Sequence, residues 1–178
     1  MPKTSLSIDD PMMDYFFDRN NPKMSDFKVG RMLLYPQQWK KYVSPIGHPL
    51  SWNPVKFKQG NASDVPNTFG GVYSFVVRPE IAEHPQCAYI MYIGKANNFR
   101  KRYYKYQSYD RGEVWEADQP HVAEMIHKWS EYLWFYYAKI SDVSMIRTTE
   151  ISLIQAFIPP VNREIGGKLG MAVNTIFG

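Results

Sequence analysis

With one cysteine, Cys87, in 178 residues, the chain cannot form an internal disulfide or build a metal site from cysteine. No run approaches the ~20 apolar residues of a membrane-spanning helix, and the longest candidate, Tyr132 to Ala138, has the length of a strand. The four histidines, His48, His84, His121 and His127, show no HxxxH spacing, which argues against a histidine zinc site. The opening MPKTSLSIDDPMMDYF carries no apolar signal-peptide core, and its early Asp residues speak against a transit peptide, so a cytoplasmic protein without a membrane partner is expected. There is no internal repeat and no low-complexity tract.

What is present is ordinary globular material, 44% hydrophobic and 21% charged, enough for one domain plus an appendage. The net charge of +4 is compatible with a polyanionic partner without demanding one. Its distribution says more. Lys95, Arg100, Lys101, Arg102 and Lys105 fall in one short stretch with no acid among them, a pattern shared by a nucleic-acid contact and a solvated helix face.

Residues 1–68 hold 8 of the 13 prolines and no Glu, a shift that marks a boundary. We expect an irregular Pro-rich extension there, a packing arm or DNA clamp held by Tyr15, Phe16, Phe17, Trp39 and Trp52, and a folded domain over residues 69–178. Within that domain Gly71 to Val77 reads as a strand, and Ala88 to Ile93, ended by Gly94, as its antiparallel hairpin partner. In any register whose paired numbers sum to an odd value, Tyr73 and Tyr92 share a face. A helix capped by Asn97 or Asn98 carries Phe99, Tyr103 and Tyr106 on one side, with Arg102 one turn before Tyr106. A helix over His121 to Glu131, a strand over Tyr132 to Ile140 and a helix over Val143 to Phe157, stopped by Pro159 and Pro160, complete an α+β pattern with three strands.

Glu150 is out of place on the last helix. It lies within the apolar stripe of Ile146, Leu153, Ile154 and Phe157, so its charge points toward the protein. A carboxylate there needs either a cationic partner such as Arg102 or a metal ion.

Ordered along the chain, Gly71-Val72-Tyr73, then Tyr92-Ile93-Gly94 running on to Arg102, then Glu150 with Leu153, Ile154, Phe157, Pro159, Pro160 and Asn162 resemble the GIY-YIG nuclease family. The segment from Tyr92 to Arg102 is especially similar to the nuclease domain of the bacterial excinuclease C subunit. Residues 69 to 163 carry the resemblance. It implies a small three-stranded antiparallel sheet flanked by helices and a metal-dependent endonuclease acting on DNA. Val72 stands where the family usually has Ile, and the segment between the two tyrosine motifs is longer than in compact members.

The same resemblance implies catalytic roles for Tyr73, Tyr92, Arg102, Tyr106 and Glu150, with Glu150 holding one Mg²⁺ or Mn²⁺ ion. It adds substrate contacts from Lys95 and Asn162, beside the basic residues Arg100, Lys101 and Lys105. Arg102 suits a scissile phosphate because its planar fork matches phosphate oxygens. Tyr73 is the candidate general base, on condition that Lys95 and Arg102 lower a phenol pKa that is ordinarily about 10. For Tyr92 and Tyr106 the competing reading is core packing, and for Asn162 a plain turn. Three functions are consistent with these residues: a restriction-type homodimeric double-strand cutter, a structure-reading nickase, or a binding protein on the same scaffold that does not cleave. A separate partner that confers specificity fits the first two.

Overall fold

Segments rich in β-branched and aromatic residues become the strands of a single sheet. In a computed structural model, which describes residues 49–58, 61–79, 87–110 and 119–162 together with 36, 37, 39 and 165, the strands are β1 (Trp52–Lys56), β2 (Gly71–Val77), β3 (Tyr89–Ala96) and β4 (Leu133–Lys139). The helices among these residues include α1 (Phe99–Asp110), α2 (Pro120–Trp129) and α3 (Val143–Phe157). None of them is long and apolar enough to cross a membrane. All described residues belong to the unit Met32–Gly178.

The strand order is β1-β4-β2-β3, antiparallel throughout. The class is therefore α+β. Every residue of β2 is buried, as befits an interior strand covered on both faces. On the front face Tyr73, Phe75 and Phe135 pack with Phe99, Tyr103 and Tyr106 of α1 and with Val122 and Ile126 of α2. The back face carries a smaller cluster, Val72, Ile93 and Ala138 against Ile146 and Leu153 of α3.

Three strands were expected and four are present among the described residues. The fourth, β1, comes from the stretch read as an irregular extension, where Pro54 looks like a breaker. Because β1 is an edge strand, an outward position there needs no N–H donor, and Pro54 pairs in register with Tyr136. Beyond β1, Phe57 and Val65 are buried in the front cluster on either side of a 3-10 turn, Asn61–Asp64. Trp52 packs against the back cluster and Trp39 is 38% exposed, while Tyr15, Phe16 and Phe17 lie outside the described residues.

β3 also runs further than expected, through Gly94 to Ala96. Its register against β2 pairs Tyr73 with Gly94 and Phe75 with Tyr92, then slips so that Val76 pairs with Ile90. Both sums before the slip are odd, and Tyr73 and Tyr92 do share the front face. The bulge re-aims one side chain: Met91 and Tyr92 both join the front cluster, while Ile93 belongs to the back one.

The bounds of α3 match the sequence reading. Asp142 caps its start by accepting from the Ser144 N–H at 2.9 Å. Ile158 ends it in the left-handed region at φ 47°, a strained choice for a β-branched residue. That turn sends the chain back along β3, where the Val161 N–H donates to the Met91 carbonyl at 3.0 Å.

Candidate functional site

A glycine makes the tyrosine cluster possible. A Cβ on Gly94 would meet the Tyr73 Oη at 2.5 Å and its Cζ at 2.6 Å, so the phenol of Tyr73 lies where any side chain at position 94 would be. Gly71, at φ +150°, would drive a Cβ into the Ala138 carbonyl. The glycine of the second motif is thus coupled to the tyrosine of the first across the β2–β3 pair, whereas Gly71 lets β2 lie close against β4.

With that room, the Tyr73 and Tyr106 hydroxyls meet at 2.6 Å, and Tyr106 donates to Gln119 Oε1 at 3.2 Å. The direction of the second bond fixes the first. Since the Tyr106 proton points to Gln119, Tyr73 donates to Tyr106 and keeps lone pairs with which to accept. Phe135 stacks on Tyr73 with ring centroids 5.1 Å apart, and Tyr92 lies 6.2 Å away by the same measure. Arg102 sits over the Tyr106 ring at 6.0 Å.

Burial sets the ionisation of these phenols. Tyr73 is 1% exposed, Tyr106 0% and Tyr92 8%. Burial first, then repulsion from the neighbouring phenols, holds Tyr73 well above the usual tyrosine value, and Arg102 opposes this only in part. Tyr106 and Tyr92 are raised too, again chiefly by burial. The expectation that Lys95 and Arg102 bring the Tyr73 phenol down is therefore reversed. Water exclusion outweighs the one guanidinium, and Lys95 is engaged elsewhere.

Its partner is Glu150, Nζ to Oε2 at 2.5 Å, with side-chain exposures of 44% and 14%. The inward carboxylate expected on α3 is present but only partly buried, and a cation that meets it is Lys95. Glu150 also lies close enough to Tyr92 to raise its pKa. Tyr92 is the junction of the site. It is the most exposed of the three phenols, and it feels Glu150 from one side and Arg102 from the other.

Asn162 joins from the outer edge of β3. Its side-chain amide accepts from the Ile93 N–H at 2.9 Å and donates to the Ile93 carbonyl at 2.8 Å. In effect it is a one-residue strand, and it fixes the backbone between Tyr92 and Gly94. Arg100, expected among the substrate contacts, is placed elsewhere: its guanidinium donates to the carbonyls of Val65 at 2.7 Å and Ser63 at 3.0 Å. Lys101 is exposed on α1, and Lys105 is half-buried.

Gln119, the residue before Pro120 at the start of α2, was not anticipated. Nothing in its local pattern marks it, because its partner Tyr106 lies on another helix. As to metal donors, the described residues contain no group of three or more His, Cys, Asp or Glu side chains. Glu150 is the single carboxylate of the cluster. That donor set suits a hard cation that keeps most of its water and takes one or two carboxylates.

No protein-family model, curated protein or solved structure matches this chain.

Proposed function

We propose that this chain is a divalent-metal-dependent DNA endonuclease of the GIY-YIG kind. The observation that carries the reading is one convergence: Tyr73, Tyr92, Arg102, Tyr106 and Glu150, from two strands and two helices, act on one another within a single cluster. Core packing alone explains buried phenols, but it does not call for a carboxylate and a guanidinium beside them.

Phosphodiester hydrolysis needs a positioned water, balance for charge on the phosphoryl oxygens and help for the leaving oxygen. Tyr92, nearest to solvent, is the phenol that meets substrate. Tyr73, whose proton is committed to Tyr106, acts as the hydrogen-bond acceptor that orients the water. Its raised pKa makes it a poor proton sink at neutral pH, so orientation is its role. Arg102 supplies a fork for phosphate oxygens. Glu150 would hold Mg²⁺ or Mn²⁺, a Lewis acid for the developing phosphoryl charge, and Lys95, released from Glu150, would turn to the phosphate. The exposed Lys101 adds sequence-independent attraction to the backbone.

Incubating the purified chain with supercoiled plasmid and Mg²⁺, Mn²⁺ or excess chelator, beside Glu150→Ala, tests this reading. Cation-dependent nicked or linear product is expected, falling about 10³-fold or more in the variant. Equal cleavage by Glu150→Ala removes that residue from the chemistry. No cleavage of DNA with either cation, together with retained DNA binding, moves the chain to the binding class.

A further inference from the structure

The back of the sheet is covered over only part of its length. α3 packs on Val72, Ile93 and Ala138, and beyond it lies a cleft of about 560 Å³ bordered among the described residues by Leu50, Trp52, Val76, Ile90, Leu153 and Phe157. This is the volume of a small-molecule site. Two polar side chains also face it, Ser74 and Tyr136.

Ser74 is 5% exposed, and no hydrogen bond engages its hydroxyl among the described residues. The hydroxyl opens on the cleft and is available to donate. Tyr136 accepts from Arg78 Nη1 at 2.9 Å, which leaves its own proton to donate. Behind it, the Arg78 guanidinium rests over the Trp134 ring at 4.5 Å, and no carboxylate pairs with it among the described residues. The apolar cleft therefore offers two O–H donors from cross-strand partners, the Tyr136 one beside a positive charge.

We infer that this cleft binds a small amphipathic monocarboxylate, its apolar body between α3 and the sheet and its carboxylate on the Ser74 and Tyr136 hydroxyls near Arg78. A nucleobase fits poorly, because its polar edge asks for more partners than these two hydroxyls provide. A neutral alcohol would itself offer Arg78 no counter-charge. The site does not depend on the nuclease reading, and its test needs no cleavage.

Calorimetric titration of the full chain with octanoate, and separately with octanol, provides that test. Saturable one-to-one binding of octanoate is expected, with a dissociation constant on the order of 100 µM and about tenfold weaker binding of octanol. Val76→Trp, which fills the cleft, abolishes it. Should that variant fold poorly, Ser74→Ala and Arg78→Gln serve instead: each weakens octanoate about 5- to 10-fold, and Arg78→Gln erases the preference over octanol. The inference is overturned if octanoate gives no saturable heat up to about 10 mM. It is equally overturned if octanoate and octanol bind alike, or if folded Ser74→Ala and Arg78→Gln bind as the parent does.

Discussion

The two faces of the sheet treat their hydroxyl groups in opposite ways. On the front, Tyr73 and Tyr106 are bonded to each other and on to Gln119, and the Tyr103 hydroxyl donates to the Lys56 and Lys58 carbonyls at 3.2 Å. On the back, the buried hydroxyl of Thr149 has no partner. A fully satisfied network resists change and holds its geometry, whereas an unsatisfied hydroxyl costs stability until something meets it. The difference separates a face built to hold atoms in place from one with polar capacity to spare.

Gly94→Ala is the most damaging way to break the front. The new methyl would overlap the Tyr73 Oη and Cζ at 2.5 and 2.6 Å, with Phe135 stacked on the same ring. Tyr73 has nowhere to retreat. A loss of about 3 kcal/mol is expected, read as a lower midpoint in urea, together with a fall in any nuclease rate. A midpoint within error of the parent would show that the Tyr73 ring moves freely, and the front would lose its claim to rigidity.

Asn162→Ala attacks the same face from outside the cluster. It removes both bonds to the Ile93 backbone at a cost of about 2 kcal/mol, measurable by the same unfolding curve. Asn162→Asp keeps an acceptor for the Ile93 N–H and loses the donor to its carbonyl, so it should fall between. If Asp is as costly as Ala, the two bonds do not act separately.

Alkaline pH probes the phenols together. In the folded state Tyr73, Tyr92 and Tyr106 hold their protons above the usual tyrosine range, while the unfolded chain releases them near pH 10. Above that point the folded state binds more protons, so stability is full below about pH 10 and declines as pH rises toward the folded values. The slope is about 1.4 kcal/mol per pH unit for each such phenol. Tyr73→Phe should make the decline shallower by about that amount between pH 10 and 11. An unchanged slope would mean that Tyr73 is solvated despite its burial.

Much of this arrangement was legible in the amino-acid order, and the exceptions share a cause. The strand of Gly71 to Val77, the aromatic face of α1 and the full extent of α3 follow from periodicity and capping, which are local. The inward carboxylate of Glu150 was visible as a charge in an apolar stripe. Its partner was not, because Lys95 lies on a distant strand and only the fold brings them together. β1 was hidden by Pro54, whose tolerance depends on an edge position that the local pattern does not reveal. Arg100 looked like a ligand contact within a basic run, yet its carbonyl acceptors at Ser63 and Val65 come from another part of the chain. The lowered phenol pKa expected at Tyr73 failed for a similar reason: charges can be counted along a sequence, but the exclusion of water is a property of packing.

The smallest expected effect is on the back face and has the opposite sign. Thr149 is 2% exposed, its Oγ1 has no partner, and it lies on the buried side of α3 between Ile146 and Leu153. Thr149→Val keeps the shape and the β-branch, and helix propensity barely changes. What disappears is a hydroxyl stripped of water with nothing in return. A gain of up to about 1 kcal/mol is expected, read as a higher urea midpoint at unchanged slope. The same exchange of polar for apolar on the front, Tyr73→Phe at neutral pH, should instead lose about 1 kcal/mol, since it leaves the Tyr106 oxygen without its donor. Opposite signs in these two variants would establish that the faces differ in hydrogen-bond satisfaction and not merely in burial; a loss at Thr149 would mean that its hydroxyl has found a partner in solution, and the contrast would then fall.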